Sequence, residues 1–194
     1  MYIRFFEGSP VNEWKQKRSV TRRYDLTAHL YDARYSEEQE AKYKAALAEL
    51  NVTGAVLDVG CGSGLLFSHV AAQAEVVVGV DVSGKLLLQA KERAKNFHNA
   101  HVVQADADHL PFTNECFAVV FAFTVLQNMP KPAETLRELK RTAKHNGAVV
   151  VTGLKKAFPL EAFEALLQQA GLRVVSIKDD VTLKCYVAVS VQNS

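Results

Sequence analysis

One stretch constrains the fold of this 194-residue chain more than any other: Val56-Leu57-Asp58-Val59-Gly60-Cys61-Gly62-Ser63-Gly64. An apolar run of strand length enters three glycines at alternate positions, and Leu65, Leu66, Val70 and Ala72 follow at helical spacing. Strand, glycine turn and helix in that order make the opening unit of an α/β domain with a mostly parallel sheet. Glycine suits the turn because a Cβ would disfavour the required backbone angles and block a ligand's approach. The helix start beyond it offers unpaired N–H groups to an anionic group. Taken alone, such a turn can also be no more than a tight connection.

The rest of the chain repeats the same alternation. Further strands are expected at residues 76–80, 101–104, 117–123, 148–152, 173–177 and 183–191. Ser83 reads as the N-cap of a helix burying Leu86, Leu87, Ala90 and Ala94. Pro132 opens another helix, with Glu134 near its start, Arg141 and Lys144 near its end and Gly147 beyond. Pro159 opens a third, burying Leu160, Phe163, Leu166, Leu167 and Ala170 before Gly171. The last two strands flank Lys178-Asp179-Asp180, a turn short enough to force antiparallel pairing. The expected architecture is a doubly wound, seven-stranded, mostly parallel sheet with the last strand antiparallel and helices on both faces. Ahead of it, Ser36 and Gln39 match a capping box for a helix to about Leu50 that exposes Glu38, Glu40, Lys42 and Lys44. Residues 1–35 show no clear period, and their aromatic residues (Tyr2, Phe5, Phe6, Trp14, Tyr24, Tyr31, Tyr35) suggest packing on the core or on a ligand. The expected organisation is a helical, aromatic segment over 1–50, a candidate lid, and a ligand-binding domain over 51–194.

Composition excludes several classes. The longest apolar runs, such as 117–123, are far shorter than a membrane span, so no membrane insertion is expected. Three widely spaced cysteines form no Cys-x-x-Cys pair, and the N-terminal residues carry no sustained apolar stretch, so a cytoplasmic location is expected. The six histidines show no metal-ligand spacing, and no metal is expected. Net charge is +2, but Lys15, Lys17, Arg18, Arg22 and Arg23 crowd one segment and Arg137, Lys140, Arg141 and Lys144 another. Either cluster could meet phosphates, and a solvated face is the plainer reading.

Two carboxylates complete a constellation with the glycine turn. Asp81 ends the second strand, where it suits bidentate bonding to ribose hydroxyls, and Asp106 ends the third, where it could read an adenine amino edge. All three groups fall at the same ends of adjacent strands and so line one crevice. On these residues, with Val80-Asp81-Val82-Ser83, Gln104-Ala-Asp106-Ala-Asp-His-Leu110-Pro111-Phe112 and Val125-Leu126-Gln127-Asn128-Met129-Pro130, residues 52–191 resemble the class I S-adenosylmethionine-dependent methyltransferases. The resemblance is to the small single-domain type 11, quinone-methyltransferase-like group. It implies S-adenosyl-L-methionine as cofactor and S-adenosyl-L-homocysteine as product. It also implies cofactor contacts from Asp58, Gly60, Cys61, Gly62, Gly64, Asp81, Val82, Asp106, Ala107 and Phe123. A dinucleotide fingerprint is not met, because its last glycine would fall on Leu65.

The acceptor is less defined. Gln127 and Asn128 follow the fourth strand and are acceptor-side candidates, although relatives often carry Glu-His there. Tyr31 and Tyr35 resemble the tyrosine-bearing segment that covers the cofactor in many relatives; ordinary hydrophobic packing explains them equally. The connections after the fifth strand and between the last two are short, which predicts an open acceptor site. That expectation, with the basic clusters, leans toward a tRNA or protein acceptor and an activating partner protein. The alternatives are a small-molecule O-, N- or C-methyltransferase and a non-catalytic cofactor-binding subunit.

Overall fold

Residues 10–192 are described in a computed structural model of the chain, apart from the side chains of Pro10, Val11 and Tyr31. Seven strands form one sheet: β1 (Ala55–Val59), β2 (Val76–Asp81), β3 (Ala100–Gln104), β4 (Phe117–Ala122), β5 (Ala143–Leu154), β6 (Leu172–Lys178) and β7 (Cys185–Gln192). Their order is β3-β2-β1-β4-β5-β7-β6. β7 runs antiparallel to both neighbours, and every other pair is parallel. The chain winds outward from β1 through β2 to β3, then returns to β4 on the other side. The crevice therefore opens where the carboxyl ends of β1 and β4 meet.

Successive strand residues are buried on opposite faces, which is why the strands read as unbroken apolar runs. Val56, Val77, Val119, Phe121 and Val150 pack with Tyr43, Phe67, Val70 and Leu87 on one side. Leu57, Val120, Ala122, Val149 and Val151 pack with Leu136, Leu139, Phe163 and Leu167 on the other. Among the described residues the α-helices are α1 (Pro10–Thr27), α2 (Tyr31–Leu47), α3 (Phe67–Val70), α4 (Gly84–Ala94), α5 (Pro132–Thr142) and α6 (Leu160–Gln169). Ser83 caps α4 as expected, its hydroxyl accepting the Leu86 N–H at 3.2 Å.

Within the helical segment expected over 1–50, residues 10–27 form α1 although they carry no clear apolar period. Several other expectations are corrected. Ser36 lies inside α2, which begins at Tyr31 after a 3-10 turn, Ala28–Leu30, so it caps nothing. Lys42 is buried rather than exposed, because Glu38 and Thr124 lie within reach of its ammonium. The helix after the glycine turn shrinks to α3, since Gly60, Gly62 and Gly64 all hold positive φ and keep the chain in turns. β5 starts at Ala143, so Lys144 and Gly147 lie within a strand. Asn146, at φ 62°, kinks the strand there, beside a register shift between Phe117 and Val119. Tyr2, Phe5 and Phe6 fall outside the described residues.

Candidate cofactor and acceptor site

The turn after β1 is built around Gly60, at φ +72°, where a Cβ would meet Val125 Cγ2 at 2.5 Å. The N–H groups of Gly60 and Cys61 both donate to the Val80 carbonyl, at 2.7 and 3.0 Å, and fold the turn onto the end of β2. Asp81 then grips the turn. Its Oδ2 accepts the Gly62 N–H at 2.9 Å, and its Oδ1 accepts the Ser83 N–H at 2.8 Å. Burial pushes the Asp81 carboxyl up, against the backbone N–H bonds that favour its charged form. Beneath it, burial and the nearby Asp81 charge push Asp58 up to about 8.

These elements wall a cleft over the carboxyl ends of β1, β2 and β4. Of the expected cofactor residues, Gly60, Asp81, Val82, Asp106, Ala107 and Phe123 stand on its wall. Asp58, Cys61, Gly62 and Gly64 do not. Gly64 is held by sterics, since a Cβ would lie 2.7 Å from the Phe67 ring, and Gly62 by its bond to Asp81. Cys61 is buried, with its thiol pushed well up by burial, which makes it inert rather than nucleophilic.

Asp106 is reached from above. Lys17 of α1 donates to its Oδ2 at 2.7 Å and pairs with Asp108 Oδ2 at 2.5 Å. Burial pulls the Lys17 ammonium down, but hydrogen bonds to the two carboxylates outweigh it and hold it above its ordinary value. Lys17, Val20 and Tyr24 all line the cleft, so α1 roofs it. The connections after β5 and between β6 and β7 are short, as the open-site expectation has them, and the cover over the cleft comes from α1, inside the 1–50 segment expected as a candidate lid. Spacings of three and four residues put 17, 20 and 24 on one helix face. That signal existed, and the helix's polar composition hid it.

At the other end, β4 runs into Phe123, Thr124 and Val125, all on the wall. Asn128, an expected acceptor-side residue, lines the cleft too. Its amide donates to the Thr124 carbonyl at 2.9 Å and to the Tyr24 hydroxyl at 3.3 Å, and its Oδ1 accepts from Arg23 at 2.9 Å. Burial pushes the Tyr24 hydroxyl up, so it stays protonated at neutral pH. Gln127 is turned behind the wall, donating to the Thr124 carbonyl at 2.8 Å. Tyr35 is off the wall, and the Tyr31 side chain lies outside the described residues. Among the described residues, the tyrosine on the cleft wall is Tyr24. Among the described residues no His/Cys/Asp/Glu group could hold a metal, and no helix is long and apolar enough to cross a membrane.

Residues 57–151 match the family described as Methyltransferase domain. A phosphatidylethanolamine N-methyltransferase of Cereibacter sphaeroides is 32% identical over 158 residues, covering 77% of this chain and 75% of that protein. The chain belongs to the class I S-adenosylmethionine-dependent methyltransferases, type 11 group. A malonyl-[acyl-carrier protein] O-methyltransferase of Marinomonas is 31% identical over 150 residues, 75% of this chain. A demethylmenaquinone methyltransferase of Staphylococcus saprophyticus is 34% identical over 119 residues, 59% of this chain. The chain spans about half the length of these last two, 55% and 51% respectively. Among solved structures, the Haloferax volcanii complex of the Trm112 methyltransferase activator with a methyltransferase matches at TM-score 0.76 and 18% identity, over 88% of this chain and 96% of that one. The [4+2]-cyclase SpnF matches at TM-score 0.73 and 22% identity, over 85% and 75%. At these identities the structural likeness shows the fold alone, and a fold hosts more than one chemistry. This methyltransferase's cofactor is S-adenosylmethionine, and the lining of the cleft suits it: a half-buried carboxylate with lone pairs to spare beside apolar Val82 and Ala107.

Proposed function

We propose that this methyltransferase acts on a compact acceptor, seated at the end of β4 beneath α1. The observation that carries the reading is the roof: Lys17, Val20 and Tyr24 cross the cleft and leave room for a small molecule rather than a folded surface. Asp81 binds the ribose, Val82, Asp106 and Ala107 take the adenine, and Phe123 with Gly60 backs the methionyl end. S-adenosylmethionine supplies an electrophilic methyl group, which moves to the acceptor's lone pair and leaves neutral S-adenosylhomocysteine. The protein's part is alignment and exclusion of water. Tyr24 and Asn128 orient the acceptor by hydrogen bonds. Because the described groups at that end are donors and amides rather than carboxylates or imidazoles, the reading favours an acceptor acidic enough to shed its own proton. α1 acts as the lid and must lift for exchange.

A second reading, a tRNA or protein acceptor with an activating partner, is supported by the outer face of α1. There Trp14 is 58% exposed beside Arg18 and Arg22, and the matched Haloferax methyltransferase is itself bound to an activator. Incubating the purified chain and labelled cofactor with fractionated cell extract separates the two. Label in the low-molecular-mass fraction is the expected outcome. Label confined to RNA or protein overturns the compact-acceptor reading.

A further inference from the structure

Two unusual residues meet behind the β4 end of the cleft. Lys42 of α2 has a side chain only 3% exposed. Burying an ammonium is costly unless it is paired and hydrogen-bonded, and an apolar side chain would anchor a helix to a sheet at less cost. Its Nζ pairs with Glu38 Oε1 at 2.8 Å and donates to Thr124 Oγ1 at 3.0 Å. Lys184, the residue before β7, donates to the other Glu38 oxygen at 2.9 Å. Burial pushes the Glu38 carboxyl up, but hydrogen bonds from Lys42 and Lys184 outweigh it and hold the group below its ordinary value, which keeps it charged.

Thr124 is the second oddity. It holds φ 63°, a left-handed conformation that a β-branched residue adopts only under constraint. Every polar group it has is engaged. Its N–H donates to Thr152 Oγ1 at 2.7 Å, and its carbonyl accepts the Gln127 and Asn128 amides at 2.8 and 2.9 Å. Its hydroxyl accepts from Lys42, with Gln39 at 3.4 Å. Strain of this kind persists where the surroundings over-determine it, and such places cluster at functional sites. Here it turns the chain out of β4 so that Phe123, Thr124 and Val125 face the cleft in succession and Asn128 hangs from the turned carbonyl.

We infer that Lys42 is a positioning residue: its buried ammonium pins Thr124 in the left-handed turn and so shapes the end of the cleft that receives the methionyl and sulfonium part of the cofactor. The inference rests on placing that part at the end of β4. The adenosyl end, built on β2 and β3, does not depend on the pin. A merely structural tie would weaken both ends together.

The test is calorimetry with two probes, adenosine and S-adenosylmethionine, on the intact chain. K42M should weaken S-adenosylmethionine by about tenfold, the loss of one hydrogen bond to a charged group, and leave adenosine binding unchanged. K42R, which keeps a cationic donor, should recover most of the loss. In a T124G background the backbone reaches the left-handed region freely, so adding K42M should cost much less. If K42M does not fold, E38Q, which strips the ammonium of its counter-ion, should give the same split at smaller size. Equal loss for both probes, no loss, or a K42M effect undiminished by T124G overturns the inference. A wild-type chain that binds the two probes with equal affinity overturns the placement of the methionyl end, and the inference with it.

Discussion

Replacing Asp81 with alanine tests the cofactor site at the point where the geometry is most explicit. Each carboxylate oxygen already accepts one backbone N–H, from Gly62 at 2.9 Å and from Ser83 at 2.8 Å. One lone pair on each oxygen remains, enough for one ribose hydroxyl apiece. Losing charge-assisted hydrogen bonds of this kind should cost about 1.5–3 kcal/mol of cofactor binding. That is a weakening of about 10- to 150-fold. The same substitution frees the two N–H groups and destabilises the turn, so affinity alone would confuse two effects. Comparing adenosine with 2′,3′-dideoxyadenosine within each protein separates them, because the turn is common to both measurements. The wild type should prefer adenosine by the factor above, and D81A should bind the two nucleosides alike. A D81A protein that keeps the wild-type preference refutes the ribose assignment.

Three further outcomes are expected. Gly60→Ala places a Cβ 2.5 Å from Val125 Cγ2 at φ +72°, and should cost about 2–4 kcal/mol from crowding and left-handed strain together, read as a lower denaturant midpoint. Asp58 is raised from 3.8 to about 8, so its contribution to stability is complete below about pH 4 and is lost as pH climbs to about 8, where the unfolded chain ionises freely and the folded one resists. Asp58→Asn should remove that slope, so that its melting temperature gains on the wild type across that window and then levels off; a constant difference contradicts the assignment. Lys17→Met breaks the ties from α1 to Asp106 and Asp108, and should speed S-adenosylhomocysteine release about fivefold in stopped-flow, the equivalent of roughly 1 kcal/mol for a part-buried pair. An unchanged release rate argues that α1 is not the lid.

The sheet was legible because its physics is local. Strands buried on both faces, such as 55–59 and 117–122, carry unbroken apolar runs, and Gly60, Asp81 and Asp106 stand at strand ends that the winding rule brings together. α1 was hidden for the opposite reason. It is held by Lys17 on Asp106 and Asp108, Arg23 on Asn128, Asp25 on Ser83 and Glu13 on Lys131, polar contacts that leave no apolar period in the sequence. The 1–50 segment reads as a candidate lid with Tyr24 among its aromatic residues, but nothing in the sequence singles out α1 as the roof or Tyr24 as the tyrosine beneath it. Lys42 read as a solvated residue because lysine is almost always exposed. Its burial depends on Glu38 one turn away and on Thr124, distant in sequence, whose conformation is itself set by Thr152 on another strand. Asp58, Gly62 and Gly64 sit in the matched motif but serve the turn and strand beneath the cleft rather than its wall.

The central claim is that one nucleoside sulfonium ligand lies across the ends of β1, β2 and β4 under α1. A crystal structure with S-adenosylhomocysteine tests it most directly. Density should show the ribose on Asp81, the adenine by Val82 and Ala107, and the sulfur facing Phe123 and Asn128 below Tyr24. A ligand bound elsewhere, or an α1 that stays seated in an empty cleft at saturating ligand, would contradict it.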